Sequence, residues 1–371
     1  MKLAIITHVA HIPKGSTYFG YSAYVREMNL WGKFASQLLI AAPKIQEEVS
    51  KIHLSYDHEQ ISLTHIPQIS FTSLGQGIRS LVIWPWIAFR MWQVMRRADH
   101  IHLRCPGTLG LIGCLVQVCF PKKSKTAKYA GNWDPKAQQP FSYRLQKWLL
   151  SNTFLTKNMQ VLVYGEWPNQ SKNILPFFTA TYRNEKIETL QARNFDAPLR
   201  FLFAGNLTTG KRPEYVMELV ARLVQSGISC TLDFYGDGVQ MDKLKERMLA
   251  LQASGWVTLH GNETAEVVEK AYRSSHFLVL PSKSEGWPKV VAEAMFWGCI
   301  PVATSISCVP WMLGDGDRGV LLDLDLEADA KQLSQLVSNK ERLRKLSKEA
   351  QDWSKAYTLD RFEDEIKKLL S

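Results

Sequence analysis

The sequence lacks several features that would each point to a particular class of protein. No two cysteines show Cys-x-x-Cys spacing, and the six cysteines lie mostly within apolar runs. This usage is typical of buried thiols in a reducing compartment rather than of a disulfide framework. No apolar run reaches the length of a transmembrane helix. The first residues also lack the layout of a cleavable signal, because their apolar run is only Leu3–Ile6. We therefore expect a cytoplasmic protein.

The bulk composition describes a globular chain with an excess of positive charge. Its 371 residues exceed one ordinary core and suggest two domains. The apolar content of 46% and the charged content of 22% are those of globular proteins. A net charge of +10 indicates an anionic partner: nucleic acid, an acidic membrane surface or phosphorylated ligands. Zinc-finger spacing, a basic–aromatic RNA-binding run and a basic tail are all missing, so we do not expect nucleic acid. The nine histidines show no metal-type cluster either.

The most informative stretch is Pro281–Thr304, which reads PSKSEGWPKVVAEAMFWGCIPVAT. It follows an apolar run of strand length, His276–Leu280, that lacks polar alternation, so we expect this strand to be buried on both faces. Pro288 suits the first helical position, because its φ fits and its missing N–H has no helical partner there. Gly298 is a fitting stop before a second buried strand. The pattern predicts strand, loop, helix and strand, with the loop where open α/β sheets bind ligands.

Two carboxylates frame this loop, Glu285 on the loop and Glu293 in the helix, with seven residues between them. Glu293 has mostly apolar neighbours, and a carboxylate in such surroundings is costly unless it is hydrogen-bonded. One interpretation is an ion pair with Lys289, one helical turn away. The other is that hydroxyls of a sugar or ribose bind the glutamates, while backbone N–H groups at Gly286–Lys289 receive an anion such as diphosphate. The spacing alone leaves both interpretations open.

The order Glu-Gly-x-Pro, then Glu-Ala, then Gly-x-x-Pro-Val in this stretch resembles the Glu–seven residues–Glu motif of retaining, GT-B-fold glycosyltransferases of family 4, the glycosyl transferases group 1. The resemblance is strong over Arg200–Thr304 and weaker over Met1–Phe178. It implies an α/β fold class with two Rossmann-like, doubly wound domains facing across a cleft. It also implies a nucleotide diphosphate-sugar as co-substrate, with no cofactor and no metal.

The domain organisation follows from this resemblance and from a polar segment near the middle of the chain. We expect an N-terminal, acceptor-side domain at 1–180 and a linker at 181–198, where apolar residues are few. A nucleotide-sugar-binding domain is expected at 199–355. The final amphipathic helix, at 356–371, is expected to cross back to the first domain, as it does in GT-B folds.

The donor site implied by the family includes the loop from Gly205 to Arg212. Relatives typically carry Gly-Arg-Leu and then Lys here, with the Arg and Lys holding the donor diphosphate. Lys211 matches that Lys, whereas Asn206 replaces the Arg, and Arg212 could supply the charge instead. Two cations at a helix N-terminus oppose the macrodipole unless an anion lies between them, so a plain solvated basic turn is the weaker interpretation. The other implied donor contacts are Gly236, Gly261, Gly286, Trp287, Pro288, Glu285 for the sugar and its developing charge, and Glu293 for ribose.

Besides Glu285, which is also expected to be catalytic, the catalytic and acceptor residues implied by the family lie in the first half. The strand ADHIHLRC matches the family pattern at Asp99, His102 and Arg104, with Arg104 where many relatives place a second His. A guanidinium cannot act as a base, but it could hold an anionic sugar or acceptor. His102 is either a substrate contact or a satisfied structural residue. For the acceptor we expect contacts from the loop that ends at Gly20 and from two residues after a later strand, Asn132 and Trp133, unless these are plain turns.

The segment Ile78–Arg97 mixes aliphatic residues with tryptophan, phenylalanine and arginine. Such a segment could lie in a bilayer interface, because Trp and Arg favour the headgroup level. An amphipathic helix packed on the sheet would have a similar pattern, and we favour core packing. Peripheral contact with an anionic membrane, at the inner face of the plasma membrane, stays open as an alternative.

The resemblance therefore implies retaining transfer of a sugar from a UDP-, GDP- or similar nucleotide diphosphate-sugar to a glycan or lipid-linked acceptor. Envelope or capsular polysaccharide synthesis is the expected setting. The competing interpretation is a catalytically inactive GT-B-fold protein that binds a sugar or an anion, which Asn206 and Arg104 favour.

Overall fold

The computed structural model describes residues 1–50, 52–69, 74–189, 193–196 and 198–371, and for 74–81 only the backbone. The described chain divides into two compact units, Met1–Phe177 together with Glu363–Ser371, and Phe178–Phe362. Residues 181–198, predicted as a linker, belong to the second unit, and 190–192 and 197 lie outside the described residues. The side chains of residues 78–81, in the segment for which membrane contact is considered, also lie outside the described part of the chain.

In the described residues, the first unit combines a parallel sheet, a small antiparallel sheet, four helices and the end of the C-terminal helix. Its strands are β1 (Lys2–Ile6), β2 (His11–Lys14), β3 (Thr17–Tyr21), β4 (Gln37–Ala42), β5 (His53–Ser55), β6 (Ile61–His65), β7 (His100–Cys105), β8 (Ser124–Tyr129), β9 (Met159–Tyr164) and β10 (Ile174–Phe177). Its helices are α1 (Ser22–Gly32), α2 (Leu74–Arg97), α3 (Thr108–Val116) and α4 (Phe141–Ser151).

The parallel sheet of the first unit has the described strands in the order β10-β9-β8-β7-β1-β4-β6. Chain order therefore reverses between β1 and β7, which makes the carboxyl ends of these two strands the switch point of a doubly wound sheet. The small sheet, in the order β2-β3-β5, is antiparallel.

The two faces of the first sheet are covered by different helices. Every second residue of the strands, for example Ala4, Ile6, Ile101 and Leu103, belongs to one apolar cluster with α2, α3 and α4. Alternate strand residues point to the opposite face, and there Trp31 of α1 packs on His102 with ring centroids 4.1 Å apart. Helices α2, α3 and α4 therefore form one layer, and α1 lies on the other side.

The second unit repeats the alternation of strand and helix. Its strands are β11 (Leu199–Ala204), β12 (Cys230–Tyr235), β13 (Val257–Gly261), β14 (Phe277–Leu280), β15 (Ile300–Thr304) and β16 (Val320–Leu322). Its helices are α5 (Pro213–Gln225), α6 (Met241–Ala250), α7 (Ala265–Ser274), α8 (Lys289–Phe296), α9 (Val309–Leu313), α10 (Leu326–Val337) and α11 (Lys340–Lys355), while α12 (Leu359–Leu370) begins in this unit and ends in the first.

The described strands of the second sheet are all parallel and follow the order β13-β12-β11-β14-β15-β16. This is the order of a Rossmann sheet, with its switch point between β11 and β14. The predicted buried strands around His276–Leu280 and Ile300–Ala303 are confirmed as β14 and β15. The predicted apolar face of α5 is also confirmed, because Val216, Leu219 and Val220 are completely buried.

One prediction about the first unit is wrong. The loop that ends at Gly20, predicted to contact the acceptor, is instead the hairpin of β2 and β3, with Ile12 opposite Phe19. Gly15, at φ 61°, takes the left-handed conformation that a tight turn requires, and β-forming side chains follow it. None of the helices in the described part of the chain is both long and apolar enough to cross a membrane.

Candidate functional site

Two loops come together at the switch point of the second sheet. The first follows β11 and spans residues 205–212, and the second follows β14 and spans residues 281–288. The backbone N–H of Lys283 donates to the carbonyl of Gly210 at 2.8 Å, which ties the loops to each other. The guanidinium of Arg212 adds a second link, since it donates to the carbonyl of Pro281 at 3.0 Å. The site therefore lies at the carboxyl ends of two parallel strands, where open α/β sheets bind ligands.

The charged centre of this site is an ion pair between Lys211 and Glu285, in which the ammonium donates to the carboxylate. The Glu285 side chain is only 10% exposed, and that of Lys211 is 28% exposed. Two of the residues predicted to act on the donor, one from each loop, are therefore in direct contact. An ammonium and a carboxylate held side by side can offer one partner to phosphate oxygens and the other to sugar hydroxyls.

Arg212 occupies a strained position next to this pair. It caps the N-terminus of α5 with φ 49°, a conformation that is uncommon for residues other than glycine and that clusters at functional sites. Lys211 and Arg212 thus stand at the positive end of the α5 macrodipole. Glu285 offsets only part of this positive charge, so the site attracts an anion.

Three glycines, Gly205, Gly236 and Gly261, lie next to each other beside these loops. A Cβ on Gly236 would lie 2.0 Å from the carbonyl oxygen of Gly205, so only glycine fits there. The N–H of Gly236 donates to the carbonyl of Gly261 at 2.7 Å. The predicted donor-side glycines are therefore adjacent, and they keep the main chain open to close approach of a ligand. Asn206, which follows Gly205, is exposed.

Glu293 lies in a different environment from Glu285. Its two carboxylate oxygens accept hydrogen bonds from protein hydroxyls, from Thr181 at 2.7 Å and from Tyr272 at 3.2 Å. The pair with Lys289 that was one interpretation of the sequence is not among the ion pairs of the described residues. The carboxylate does need hydroxyl partners, as the sequence suggested, but the protein itself provides two of them. A cavity of about 10 Å³, the size of one water molecule, lies beside Glu293.

The segment that leads into α8 is held by packing. The thiol of Cys308 donates to the carbonyl of Gly286 at 3.0 Å. Trp287 is buried and lies 6.1 Å, centroid to centroid, from both Trp311 and Trp353. Pro288, expected at the first helical position, instead takes the N-cap position, since α8 starts at Lys289. The hydroxyl of Ser282, buried at the start of the loop, has no hydrogen-bond partner among the described residues.

In the first unit, Arg104 belongs to a buried charge cluster. Its guanidinium donates to Glu27 of α1, and the ammonium of Lys128 lies 3.0 Å from the other oxygen of Glu27. Burial acts to raise the pKa of the Glu27 carboxyl, but the charges of Arg104 and Lys128 hold it at about 2. Arg104 also lies over the ring of Tyr24 at 5.4 Å. The role predicted for Arg104 in binding an anionic substrate would therefore compete with Glu27.

His102 is completely buried on the α1 side of the sheet. Its Nδ1 lies 2.9 Å from the hydroxyl of Thr126, and its ring packs on Trp31. Burial, together with the nearby charge of Arg104, lowers the pKa of His102 well below its ordinary value, so the ring is neutral. The other ring nitrogen, Nε2, is buried without a hydrogen-bond partner among the described residues, so the imidazole is only half satisfied. The packing favours the structural interpretation, which stays a prediction.

Two of the residues predicted for the acceptor, Asn132 and Trp133, use their side chains within the protein itself. Trp133 is 2% exposed, donates from Nε1 to Gln170 at 2.9 Å, and packs edge-on against Tyr129. Stacking on a sugar requires an exposed ring face, which Trp133 does not offer. The side-chain oxygen of Asn132 accepts from the N–H of Asp134 at 2.8 Å, as in an Asx turn. Gly20 lies within β3.

A cavity that the sequence analysis missed lies at the switch point of the first sheet. Its volume is about 310 Å³, and its lining includes His8 after β1, Gly107 and Thr108 after β7, and Tyr143 of α4. Gly107 takes φ 145°, a backbone conformation that other residues rarely adopt, and a Cβ there would contact the imidazole of His8 at 3.4 Å. The available signal was that His8 and Gly107 each lie two residues after the end of one of the two strands between which chain order reverses. Cavities of this volume fit small ligands.

Candidate metal ligands do not cluster. Among the described residues, no three His, Cys, Asp or Glu side chains are placed to hold a metal ion, and this includes the Asp-x-Asp pairs of the second unit at Asp315–Asp317 and Asp323–Asp325. Metal independence stays a prediction.

Comparison with known proteins gives one family match and several relatives. Residues 186–353 match the model of the family described as glycosyl transferases group 1. A D-inositol 3-phosphate glycosyltransferase from Rhodococcus jostii is 27% identical over 213 residues, 54% of this chain and 47% of that protein. The chain thus matches a little less than half the length of such curated relatives.

Solved structures resemble the chain over nearly its whole length. Anabaena HepE, crystallised in complex with UDP and glucose, gives a TM-score of 0.66 at 14% identity, over 100% of this chain and 99% of that one. A sucrose-phosphate synthase from Thermosynechococcus elongatus gives a TM-score of 0.62 at 14% identity, over 99% and 98%. At this identity the likeness establishes the fold, and the predicted α/β fold class, with two doubly wound Rossmann-like domains of the GT-B type, is confirmed.

Proposed function

We propose that the chain is a retaining glycosyltransferase, a proposal supported by the match of residues 186–353 to the glycosyl transferases group 1 family. It transfers a sugar from a nucleotide diphosphate-sugar to a glycan or lipid-linked acceptor, in the cytoplasmic synthesis of an envelope or capsular polysaccharide. The observation that carries this proposal is the Lys211–Glu285 ion pair, which joins the two loops at the switch point of the second sheet.

Lys211 and Arg212 hold the donor diphosphate in this proposal. Both cations stand at the N-terminus of α5, and the N–H groups at the start of α8 add further positive potential. Negative charge grows on the diphosphate as the bond to the sugar breaks, so cations fixed at this position stabilise the transition state more than the ground state. No metal ion is required for that step, because the two side chains already provide the positive charge.

Glu285 and Glu293 divide the sugar contacts between them. Glu285 binds donor-sugar hydroxyls and stabilises the positive charge that develops at the anomeric carbon. Glu293 binds the ribose, and a ribose hydroxyl would replace the Thr181 hydroxyl that now donates to it at 2.7 Å. The glycines at 205, 236 and 261 let the nucleotide approach the main chain closely.

The acceptor binds in the cavity of about 310 Å³ at the switch point of the first sheet. Its lining supplies an imidazole from His8 and hydroxyls from Thr108 and Tyr143, which are suitable partners for sugar or phosphate oxygens. The R. jostii relative, a D-inositol 3-phosphate glycosyltransferase by name, supports a polyol or sugar acceptor. The HepE complex supports UDP as the first nucleotide to test.

A thermal-shift screen with UDP, GDP and their common sugar derivatives tests donor binding. A ligand that binds the native state raises the unfolding midpoint by mass action. Lys283→Ala provides a matched control for Lys211→Ala, because Lys283 is an exposed lysine on the partner loop. We expect the shift to survive in Lys283→Ala and to disappear in Lys211→Ala. Equal shifts in both variants would argue against the proposed diphosphate site.

The alternative function is binding without transfer. Asn206 in place of an arginine, and the engagement of Arg104 by Glu27, favour this alternative. Slow hydrolysis of the bound nucleotide sugar in the absence of acceptor distinguishes the two, because a protein that only binds releases no nucleoside diphosphate.

A further inference from the structure

The positive charge of the chain is concentrated in one segment. Residues 74–157 contain thirteen Lys and Arg but only two acidic residues, Asp99 and Asp134, an excess of eleven positive charges. The whole chain has 45 Lys and Arg and 35 Asp and Glu, an excess of ten, so the remainder is close to neutral. This segment includes α2, α3 and α4, whose sequences contain no acidic residue. Such asymmetry indicates an interaction of this part of the chain with an anionic surface.

The same segment exposes most of the large hydrophobic side chains on the surface. Of the thirteen such side chains that are exposed in the described chain, seven lie on these three helices or in the turn after α4. They are Val82, Trp86, Phe89, Leu115, Phe141, Trp148 and Phe154. Phe141 is 70% exposed and Phe154 is 76% exposed. Single exposed hydrophobic residues are ordinary, but a concentration of this kind marks an interaction site.

These side chains share one side of the first unit. Helices α2, α3 and α4 bury their inner residues in a single cluster on one face of the sheet, so their outer residues all point away from it. Trp92 of α2 packs on Phe120, which follows α3, with centroids 6.3 Å apart. The side chain of Asn158, after α4, donates to the carbonyl of Pro121 at 3.1 Å. The turns after α3 and α4 therefore touch each other and the end of α2. The aromatic–basic surface is our name for the seven exposed hydrophobic side chains named above together with five exposed cations, Arg96, Arg97, Lys122, Arg144 and Lys157.

On the aromatic–basic surface, cations lie next to aromatic rings. The guanidinium of Arg96 lies 5.2 Å from the Trp92 ring, that of Arg144 lies 6.0 Å from the Phe141 ring, and the ammonium of Lys157 lies 5.2 Å from the Phe154 ring. A cavity of about 480 Å³ is lined by Phe89, Trp92, Gln93, Arg96 and Arg97. Arginine beside tryptophan suits the depth of lipid headgroups, where the ring enters the apolar boundary and the cation meets phosphate.

We propose that the aromatic–basic surface docks on an anionic phospholipid bilayer. The occupant is a membrane rather than a folded partner or a nucleic acid, because exposed cations on α2, on α4 and in the turns after α3 and α4 lie together with exposed aliphatic side chains such as Val82 and Leu115. Docking is peripheral, since no described helix is long and apolar enough to span a bilayer. This proposal does not depend on sugar transfer, because the surface shares no residue with the donor loops or with the acceptor cavity.

Vesicle co-sedimentation of the full chain tests this proposal. The probes are vesicles of phosphatidylcholine alone and of phosphatidylcholine mixed with phosphatidylglycerol, each at low and at physiological salt, with soluble glycerol phosphate as competitor. One variant removes two rings, Trp86→Ser with Phe89→Ser, and its control removes two exposed hydrophobic residues elsewhere, Val239→Ser with Leu249→Ser. A second variant removes two cations, Arg96→Gln with Arg97→Gln. Its charge-matched control on α6 is Lys243→Gln with Lys245→Gln.

We expect binding to the anionic vesicles only, weakened by salt because surface charges are screened over about 8 Å at physiological ionic strength. Each test variant should bind at least about tenfold more weakly, because it loses either two near-surface cations or two rings that enter the bilayer, while both controls should bind as the wild type does. Thermal unfolding checks that the variants fold. If the ring variant does not fold, the cation variant alone tests the proposal.

Four results would overturn the proposal. They are equal binding to both kinds of vesicle, no loss of binding in either variant, complete competition by glycerol phosphate, and concentration-dependent self-association that the variants abolish without any vesicle binding. The last result would assign the aromatic–basic surface to a second copy of this chain.

Discussion

Lys211 and Glu285 form an ion pair across two loops that are separated by 74 positions in the sequence. The pair lies where chain order reverses in the second sheet, so the fold places it at the ligand-binding edge. Because Glu285 is largely buried and Lys211 remains partly exposed, the carboxylate is fixed in the apo protein while the ammonium can still meet a ligand. The proposed chemistry depends on this arrangement.

Substitution of Glu285 by Gln tests its part in turnover. The amide keeps the shape but removes the negative charge, so we expect the release of nucleoside diphosphate to fall about 10²–10³-fold, as for other groups that stabilise transition-state charge. UDP affinity should change little, because Lys211 stays in place. Turnover equal to that of the wild type, in a variant with a normal unfolding midpoint, would remove Glu285 from the mechanism.

Substitution of Glu293 by Ala tests the ribose contact. The wild type should bind UDP more tightly than 2′-deoxy-UDP, and the variant should lose this preference. The variant should also lose about 1–3 kcal/mol of stability, because the hydroxyls of Tyr272 and Thr181 lose their acceptor. Thr181→Val is the control, since it removes the hydroxyl that ribose would replace and should leave UDP affinity near the wild-type value. A preference retained in Glu293→Ala would instead mean that the carboxylate has a structural role.

The buried cluster around Glu27 should make the free energy of unfolding depend on pH in the acidic range. The pKa of Glu27 is lowered from 4.5 to about 2, so its contribution is present above pH 4.5 and is lost as pH falls towards 2. That contribution is about 3 kcal/mol. Glu27→Gln should remove it and leave Arg104 and Lys128 buried together. Denaturant melts of both proteins at several pH values measure the difference, which should shrink as pH falls. A difference independent of pH would assign the stability of the cluster to packing.

The surroundings of His102 favour a structural role. His102→Ala should destabilise the first unit by about 2–4 kcal/mol, because it leaves a cavity under Trp31 and removes one of the two imidazole partners of Thr126, the other being His100. At temperatures below the variant's lowered unfolding midpoint, its kcat should stay within a few-fold of the wild-type value. A large loss of kcat with normal stability would restore the catalytic interpretation.

The acceptor cavity can be tested at His8. His8→Ala removes an imidazole from the lining, so we expect a higher KM for the acceptor. Hydrolysis of the donor without acceptor should not change, because His8 is not part of the two donor loops, residues 205–212 and 281–288. A parallel loss of both activities would place His8 outside a dedicated acceptor site.

Much of the donor site could be predicted from the sequence because it depends on local order along the chain. A buried strand, a polar loop and a helix follow each other within Pro281–Thr304, and a parallel sheet fixes where such loops lie. The Lys211 loop obeys the same rule, so both charged residues could be identified before their contact was known.

The remaining features depend on contacts between distant residues. Thr181 lies 112 positions from Glu293, so no spacing rule pairs them. Glu27 and Arg104 are 77 positions apart, and neither flanking sequence marks a buried cluster. Trp133 follows a strand like an exposed turn residue, yet a partner from a later loop, Gln170, draws its ring inside. The cavity beside His8 required the strand order of the first sheet.

Calorimetric titration of UDP and GDP into the wild type, Lys211→Ala and Lys283→Ala tests the central claim most directly. We predict that at least one nucleotide binds the wild type and Lys283→Ala alike, and binds Lys211→Ala about 10- to 100-fold more weakly, the loss expected for a charge-assisted contact. Equal affinity in all three proteins, or binding to none of them, would contradict the assignment of the two loops as the donor site.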